Sequence, residues 1–216
     1  MHIGASSATG IYNLGGGVLE TQDLTIFGTL NITDSNASLI ISGDLMFKPT
    51  ALYFAVPGTT IHMTGSIFDN RSTSSSEVSS LWETTFIFEG GIEDVDTFEI
   101  AGMDYGEDEI GFSDNFVLGG LILGGVDVGY VQLVENRDND NRGGPVGYDE
   151  ALYLRSLTIN SGSTLDLNGY HLYTLEYTNN GGTVLNGTIG VIPEPTTIIL
   201  LGAGLAGFAG LLRRKS

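Results

Sequence analysis

The chain has 216 residues, with 8 basic against 26 acidic side chains, a net charge of −18, 32 Gly, 5 Pro and no Cys. That length holds one domain with a real core, or one domain plus an appendage. The absence of Cys excludes a disulfide framework, a thiol nucleophile and Cys-ligated zinc, and the shortage of clustered Lys and Arg argues against nucleic acid as a partner.

Charged residues make up only 16% of the chain, so Ser, Thr, Asn and Gly fill most polar positions. Such a composition suits an extracellular β-rich protein better than a cytosolic helical enzyme. The N-terminal stretch MHIGASSATGIYNLGGG has no basic segment followed by an apolar one and does not read as a signal peptide.

Before Pro193 no segment reads as a helix. Short apolar or alternating runs follow one another instead, punctuated by Gly, Asn, Asp and Ser: DLTIFGTLNIT (23–33), ASLIISGDLMF (37–47), ALYFAV (51–56) and TTIHMTGSIF (59–68). After a less regular, strongly acidic middle at about 77–147 come ALYLRSLTIN, STLDLNGYHLYTLEYT and GTVLNGTIGV. Strands of this length and density, rich in Ile, Thr, Val, Tyr and Phe, predict an all-β domain over 1–190.

LTIFGTLNI (24–32) resembles LTINSGSTLDL (157–167), and Gly28 and Gly43 fall within similar local patterns. Short strands with turn residues at each corner predict a Gly-rich single-stranded parallel β-helix, or solenoid. A Greek-key β-sandwich is the alternative, since it yields much the same pattern. The acidic middle reads as a lateral insertion or a set of irregular coils.

The end of the chain differs. Residues 196–212 carry no charge, a stretch at the lower edge of what spans a bilayer as a helix. Pro193 and Pro195 stop a helix from running in from the β-domain, and Pro195 suits a helix start. Arg213, Arg214 and Lys215 form a basic cluster that stays cytoplasmic, which puts the N-terminal domain outside. Gly202, Gly204, Gly207 and Gly210 make one face small enough for close helix contact.

Pro193-Glu194-Pro195, a Gly-, Ala- and Leu-rich span and a terminal basic cluster, in that order, resemble the PEP-CTERM sorting signal of Gram-negative bacteria. The same segment is also named the ice-binding protein C-terminal domain. The resemblance covers residues 191–216 and implies processing near the tripeptide by an exosortase, an integral-membrane cysteine transpeptidase. The product then reaches the cell surface or the exopolysaccharide matrix. Relatives normally begin with a signal peptide, so the resemblance favours a reading frame that begins inside a longer one. Residues 150–184 resemble the closing coils of β-helical surface proteins that carry this tail, with STLDLNG the most characteristic part. Up to Pro193 the chain has 5 bases against 25 acids, a net charge of −20.

Candidate chemistry is sparse. Ten acids lie between Glu89 and Asp114 and read first as a solvated acidic segment, with calcium the ion such carboxylates would take. ENRDNDNRGG (135–144) is the sharper calcium candidate: Asp138 and Asp140 stand in D-x-D spacing, with Asn136 two residues earlier. It departs from the EF-hand template, because Arg142 holds the fifth position from Asp138 and Asp149 the twelfth. The default expectation remains a polar loop and no cofactor. His2, His62 and His171 are far apart in sequence, and no catalytic motif is present.

These features predict an exported surface or matrix protein with a structural or adhesive role, and no enzymatic activity. The membrane is its partner as a precursor, and exopolysaccharide its partner afterwards. The alternative is an extracellular polysaccharide hydrolase or lyase on the same scaffold, which a convergent carboxylate pair in a groove would favour.

Overall fold

The computed structural model describes residues 1–5, 10–65 and 67–192. Twenty short strands wind through them in repeated circuits. The first is β1 (His2–Ile3), β2 (Ile11–Leu14) and β3 (Val18–Thr21); the second is β4 (Leu24–Ile26), β5 (Thr29–Ile32) and β6 (Ser38–Ile41). The third is β7 (Leu45–Phe47), β8 (Leu52–Ala55) and β9 (Thr59–Met63).

From the fourth circuit the middle side is no longer a strand. β10 (Ile67–Asn70) reaches β11 (Thr84–Phe88) through 3-10 turns at Ser75–Glu83. β12 (Gly91–Glu99) reaches β14 (Val117–Leu123) by way of β13 (Gly102–Met103) and a 3-10 turn at Glu109–Phe112. β15 (Gly129–Val134) connects to β16 (Glu150–Asn160) through the loop 135–149. The last circuits are compact: β17 (Thr164–Asp166) with β18 (His171–Asn180), then β19 (Thr183–Leu185) with β20 (Ile189–Val191).

Strands at the same place in successive circuits pair in parallel. One sheet runs β1-β4-β7-β10-β12-β15-β17-β19, a second β20-β18-β16-β14-β11-β9-β6-β3, and a third, short one β2-β5-β8. Among these strands only β13 pairs antiparallel, with β16. This architecture is mostly β with parallel sheets, consistent with a solenoid. It disagrees with the sandwich alternative, because Greek-key strands have antiparallel neighbours.

Sequence runs that read as single units divide at corners. Residues 23–33 become β4 and β5, and 37–47 become β6 and β7. LTIFGTLNI and LTINSGSTLDL are therefore similar corners rather than the same coil position, since β4 and β16 lie in different sheets. In the acidic middle β11, β12, β14 and β15 continue the two long sheets, and irregular segments take the place of the middle side.

Alternation sets the core. β9 and β11 read buried–half-buried throughout, so every second residue points inward. Parallel register stacks those residues into rows, such as Leu24, Leu45, Phe68, Phe98 and Leu133, one from each circuit. Phe68 anchors an aromatic cluster, with ring centroids 4.6 Å from Phe98 and 4.8 Å from Phe86. Some corners bring backbones so close that a side chain has no room. A Cβ on Gly28 would stand 2.1 Å from the Gly10 carbonyl oxygen. Gly90 adds a φ of +150° to a Cβ position 2.4 Å from the Thr64 carbonyl oxygen.

Among the described residues no helix is long and apolar enough to cross a membrane. The helix expected over 196–212, the tripeptide Pro193, Glu194 and Pro195, and the bases Arg213, Arg214 and Lys215 lie outside the described residues.

Candidate functional site: a carboxylate–arginine groove

The outer face of the first long sheet carries the most chemically loaded surface of the described residues. On β7, β10 and β12 the inward residues are Leu45, Phe47, Phe68 and Phe98, which leaves Met46, Asp69 and Glu99 on the outer face. Phe68 pairs with Phe98, so the next residues, Asp69 and Glu99, are lateral neighbours on adjacent parallel strands. Strand spacing in a sheet is about 4.8 Å, which brings two carboxylates into one line.

Both acids are held rather than free in solvent. Glu99 is 3% exposed and Asp69 8%. Arg71 follows Asp69 by two residues on the same face and donates its Nε–H to Asp69 Oδ2 at 2.8 Å. Arg137 enters from the loop after β15: its backbone N–H donates to Glu99 Oε1 at 2.6 Å, and its Nε lies 3.7 Å from Asp69 Oδ1. A groove of about 500 Å³ lies over these groups, with Asp44, Thr97 and Asn136 also on its walls.

Burial pushes the Glu99 carboxyl up to about 7, and the Asp69 carboxylate beside it adds to the rise. Burial raises Asp44 too, with the charges of Asp23 and Asp69 acting in the same direction. The hydrogen bond to Asp69 raises the Arg71 guanidinium further. The groove thus sets Asp69 and Asp44 beside a Glu99 carboxyl poised to gain or lose a proton near neutral pH, flanked by two guanidiniums. Such a set can hydrogen-bond hydroxyl-rich or acidic ligands and can move a proton.

None of these residues stands out in the sequence. Asp69 and Glu99 are 30 residues apart and Arg71 and Arg137 are 66 apart, so only the coil register joins them. The available signal is the rarity of bases: Arg71 and Arg137 are two of the five that precede Pro193.

The residues expected to hold calcium lie in the first half of the loop 135–149. Asn136 borders the groove, Asp138 accepts the Asp140 N–H on Oδ1 at 2.9 Å, and Asp140 adopts a φ of +63°. Among the described residues no three His, Cys, Asp or Glu side chains come together as a metal-holding group. The ten acids between Glu89 and Asp114 also disperse. Burial pushes Asp96 up to about 6, Asp108 accepts the Ile110 N–H at 3.0 Å, and Asp104 is buried. Asp104 Oδ2 bonds His171 Nδ1 at 2.6 Å and its Oδ1 accepts from the Tyr173 hydroxyl at 3.2 Å. His62 Nδ1 lies 3.3 Å from Glu89 Oε1, on the other long sheet. His2 stands by Phe27 with ring centroids 6.2 Å apart.

At the far end of the coil, β20 pairs with β18. Ile192 is buried beside Tyr173 and donates its N–H to the Thr174 carbonyl at 2.9 Å. No curated protein and no solved structure matches the chain. A family model described as the PEP-CTERM protein-sorting motif matches residues 191–215, so the match starts on β20 and takes in Pro193, Glu194 and Pro195. That motif implies a secreted protein, exported or at the cell surface, that is processed by an exosortase. This chain therefore ends in a PEP-CTERM protein-sorting motif, joined without a spacer to the last strand of its parallel coil.

Proposed function

We propose that the protein is a β-helical component of the cell surface or exopolysaccharide matrix, with a structural or adhesive role. Its precursor is held in the membrane by residues 196–212, with the coil outside and Arg213, Arg214 and Lys215 inside. The observation that carries this reading is the direct junction of the sorting motif with a coil whose strands are closely stacked in parallel. Stacked coils form a stiff body because each circuit packs only on its neighbours. With a net charge of −20 before the motif, that body stays soluble once released. The groove over Asp69 and Glu99 supplies the hydrogen-bonding groups that a polysaccharide would engage.

Mass spectrometry of surface material tests the delivery half of this reading. The mature chain should end near Pro193, and an intact Ser216 there would contradict it. Co-sedimentation with polysaccharide from the producing cells tests the adhesive half. Binding should weaken in Arg71→Ala and Arg137→Ala, and equal binding by wild type and both variants would contradict a role for the groove.

One observation favours a second reading, a polysaccharide hydrolase or lyase: the lateral pair Asp69 and Glu99, with Glu99 pushed up to about 7. General acid chemistry on a glycoside uses a carboxyl group raised in this way beside a second carboxylate. Release of reducing ends or unsaturated products, abolished in Glu99→Gln and Asp69→Asn, would support it. Intact polysaccharide after prolonged incubation would leave the structural reading in place.

A further inference from the structure

Four buried side-chain atoms among the described residues have no hydrogen-bond partner: Asp69 Oδ1, Asn139 Oδ1, Asn141 Oδ1 and Glu150 Oε2. All four are oxygens, so what they lack is a donor or a cation. Asp69 Oδ1 has the Arg137 guanidinium 3.7 Å away. The other three belong to the loop between β15 and β16 or to the first residue of β16.

The two amides cannot be turned to remove the problem. Asn139 Nδ2 donates to the carbonyls of Asn70 at 3.1 Å and Ser72 at 2.6 Å, and Asn141 Nδ2 donates to the Ala101 carbonyl at 2.8 Å. Carbonyl oxygens accept only the amide nitrogen, which turns each amide oxygen the other way.

The three residues share a neighbourhood. The Asn139 N–H donates to Glu150 Oε1 at 2.8 Å, so those two residues touch. Gly102, next to Ala101, pairs with Ala151, next to Glu150, which brings the anchor of Asn141 alongside. Asn139 and Glu150 are each 1% exposed. A proton on Glu150 Oε2 would satisfy that atom and one amide oxygen, leaving the other amide oxygen bare. One hard cation bound among them would satisfy all three. Of the charges that act on Glu150, Glu135 and Asp138 are negative and Arg142 is positive, and Arg142 is ion-paired with Glu135.

We propose that the β15–β16 loop binds one divalent cation, calcium by preference, through Asn139 Oδ1, Asn141 Oδ1 and Glu150 Oε2. Calcium is favoured because it accepts mixed carboxylate, amide and backbone oxygens in flexible geometry, whereas magnesium holds to octahedral geometry and keeps its waters. These ligands differ from the Asn136, Asp138 and Asp140 of the sequence reading. The bound ion fastens the loop against the end of β10 and the start of β16, and so steadies Arg137 over the groove.

The test uses the full-length chain in detergent, stripped with EDTA and titrated with calcium by calorimetry. Terbium luminescence, displaced by calcium, gives a second measurement on the same chain. One site per chain is expected, with a Tm that rises with calcium and falls on chelation. Glu150→Gln imitates the protonated carboxyl, accepting from Asn139 and donating to an amide oxygen. It should keep the fold, lose the calcium dependence of Tm and weaken binding at least about tenfold, the order expected for removing a charged ligand. Asn141→Ala, a change at a half-buried loop residue, should weaken binding in the same way. No calorimetric or terbium signal from the wild-type chain would overturn the proposal. Undiminished binding by both variants would overturn it equally.

Discussion

Glu99→Gln should change the pH dependence of stability rather than simply its level. In the wild type, burial and then Asp69 push the Glu99 carboxyl from its ordinary 4.5 to about 7. Between those two values the folded chain keeps a proton that the unfolded chain has released. The associated stability is complete below pH 4.5 and is lost as pH rises through about 7. Taken at face value the shift is worth roughly 3 kcal/mol, and screening by water in the open groove reduces this to roughly 1–2 kcal/mol. Gln keeps an oxygen for the Arg137 N–H, now 2.6 Å from Glu99 Oε1, but has no proton to lose. Urea denaturation of both chains, followed by far-UV circular dichroism at about pH 5 and about pH 8.5, gives the difference directly. On going to the higher pH the wild type should lose about 1–2 kcal/mol more than the variant. A difference that stays constant across that range would refute the assignment of a raised Glu99 carboxyl.

Other substitutions probe the coil itself. Phe98→Ala removes a ring that is 1% exposed and packed with its centroid 4.6 Å from that of Phe68, and should cost about 3–5 kcal/mol in urea unfolding. Gly90→Ala puts a methyl group 2.4 Å from the Thr64 carbonyl oxygen at a φ of +150°, and should cost more than about 1 kcal/mol, seen as a lower Tm. Asp104→Ala strips three partners, the His171 ring, the Tyr173 hydroxyl and the Gly106 N–H, from a buried position. At about 1 kcal/mol for each lost hydrogen bond, with more for groups left bare, it should destabilise by about 3 kcal/mol by the same assay.

Much of the architecture was legible in the chain. Alternation in TTIHMTGSIF gave inward and outward faces, and the density of short runs gave an all-β domain. Those signals are local, because a strand's faces follow from its own period of two. The division of 23–33 into β4 and β5 was not legible, since Phe27 and Gly28 interrupt the pattern no more than a bulge would. Nor was the register of the parallel pairing, which depends on contacts between residues one circuit apart.

The C-terminal motif needed nothing but sequence: a tripeptide, an uncharged span and a basic end are read in order along the chain. The groove is the opposite case. Asp69, Arg71, Glu99 and Arg137 meet because Phe68 falls in register with Phe98 and the loop after β15 folds back over the same face. The length of each circuit sets that register, and the circuits vary with their insertions, so no fixed spacing announces the site. The loop 135–149 shows the same limit at close range. Its D-x-D spacing drew attention to Asp138 and Asp140, while the fold leaves a buried side-chain oxygen without a partner on each of Asn139, Asn141 and Glu150.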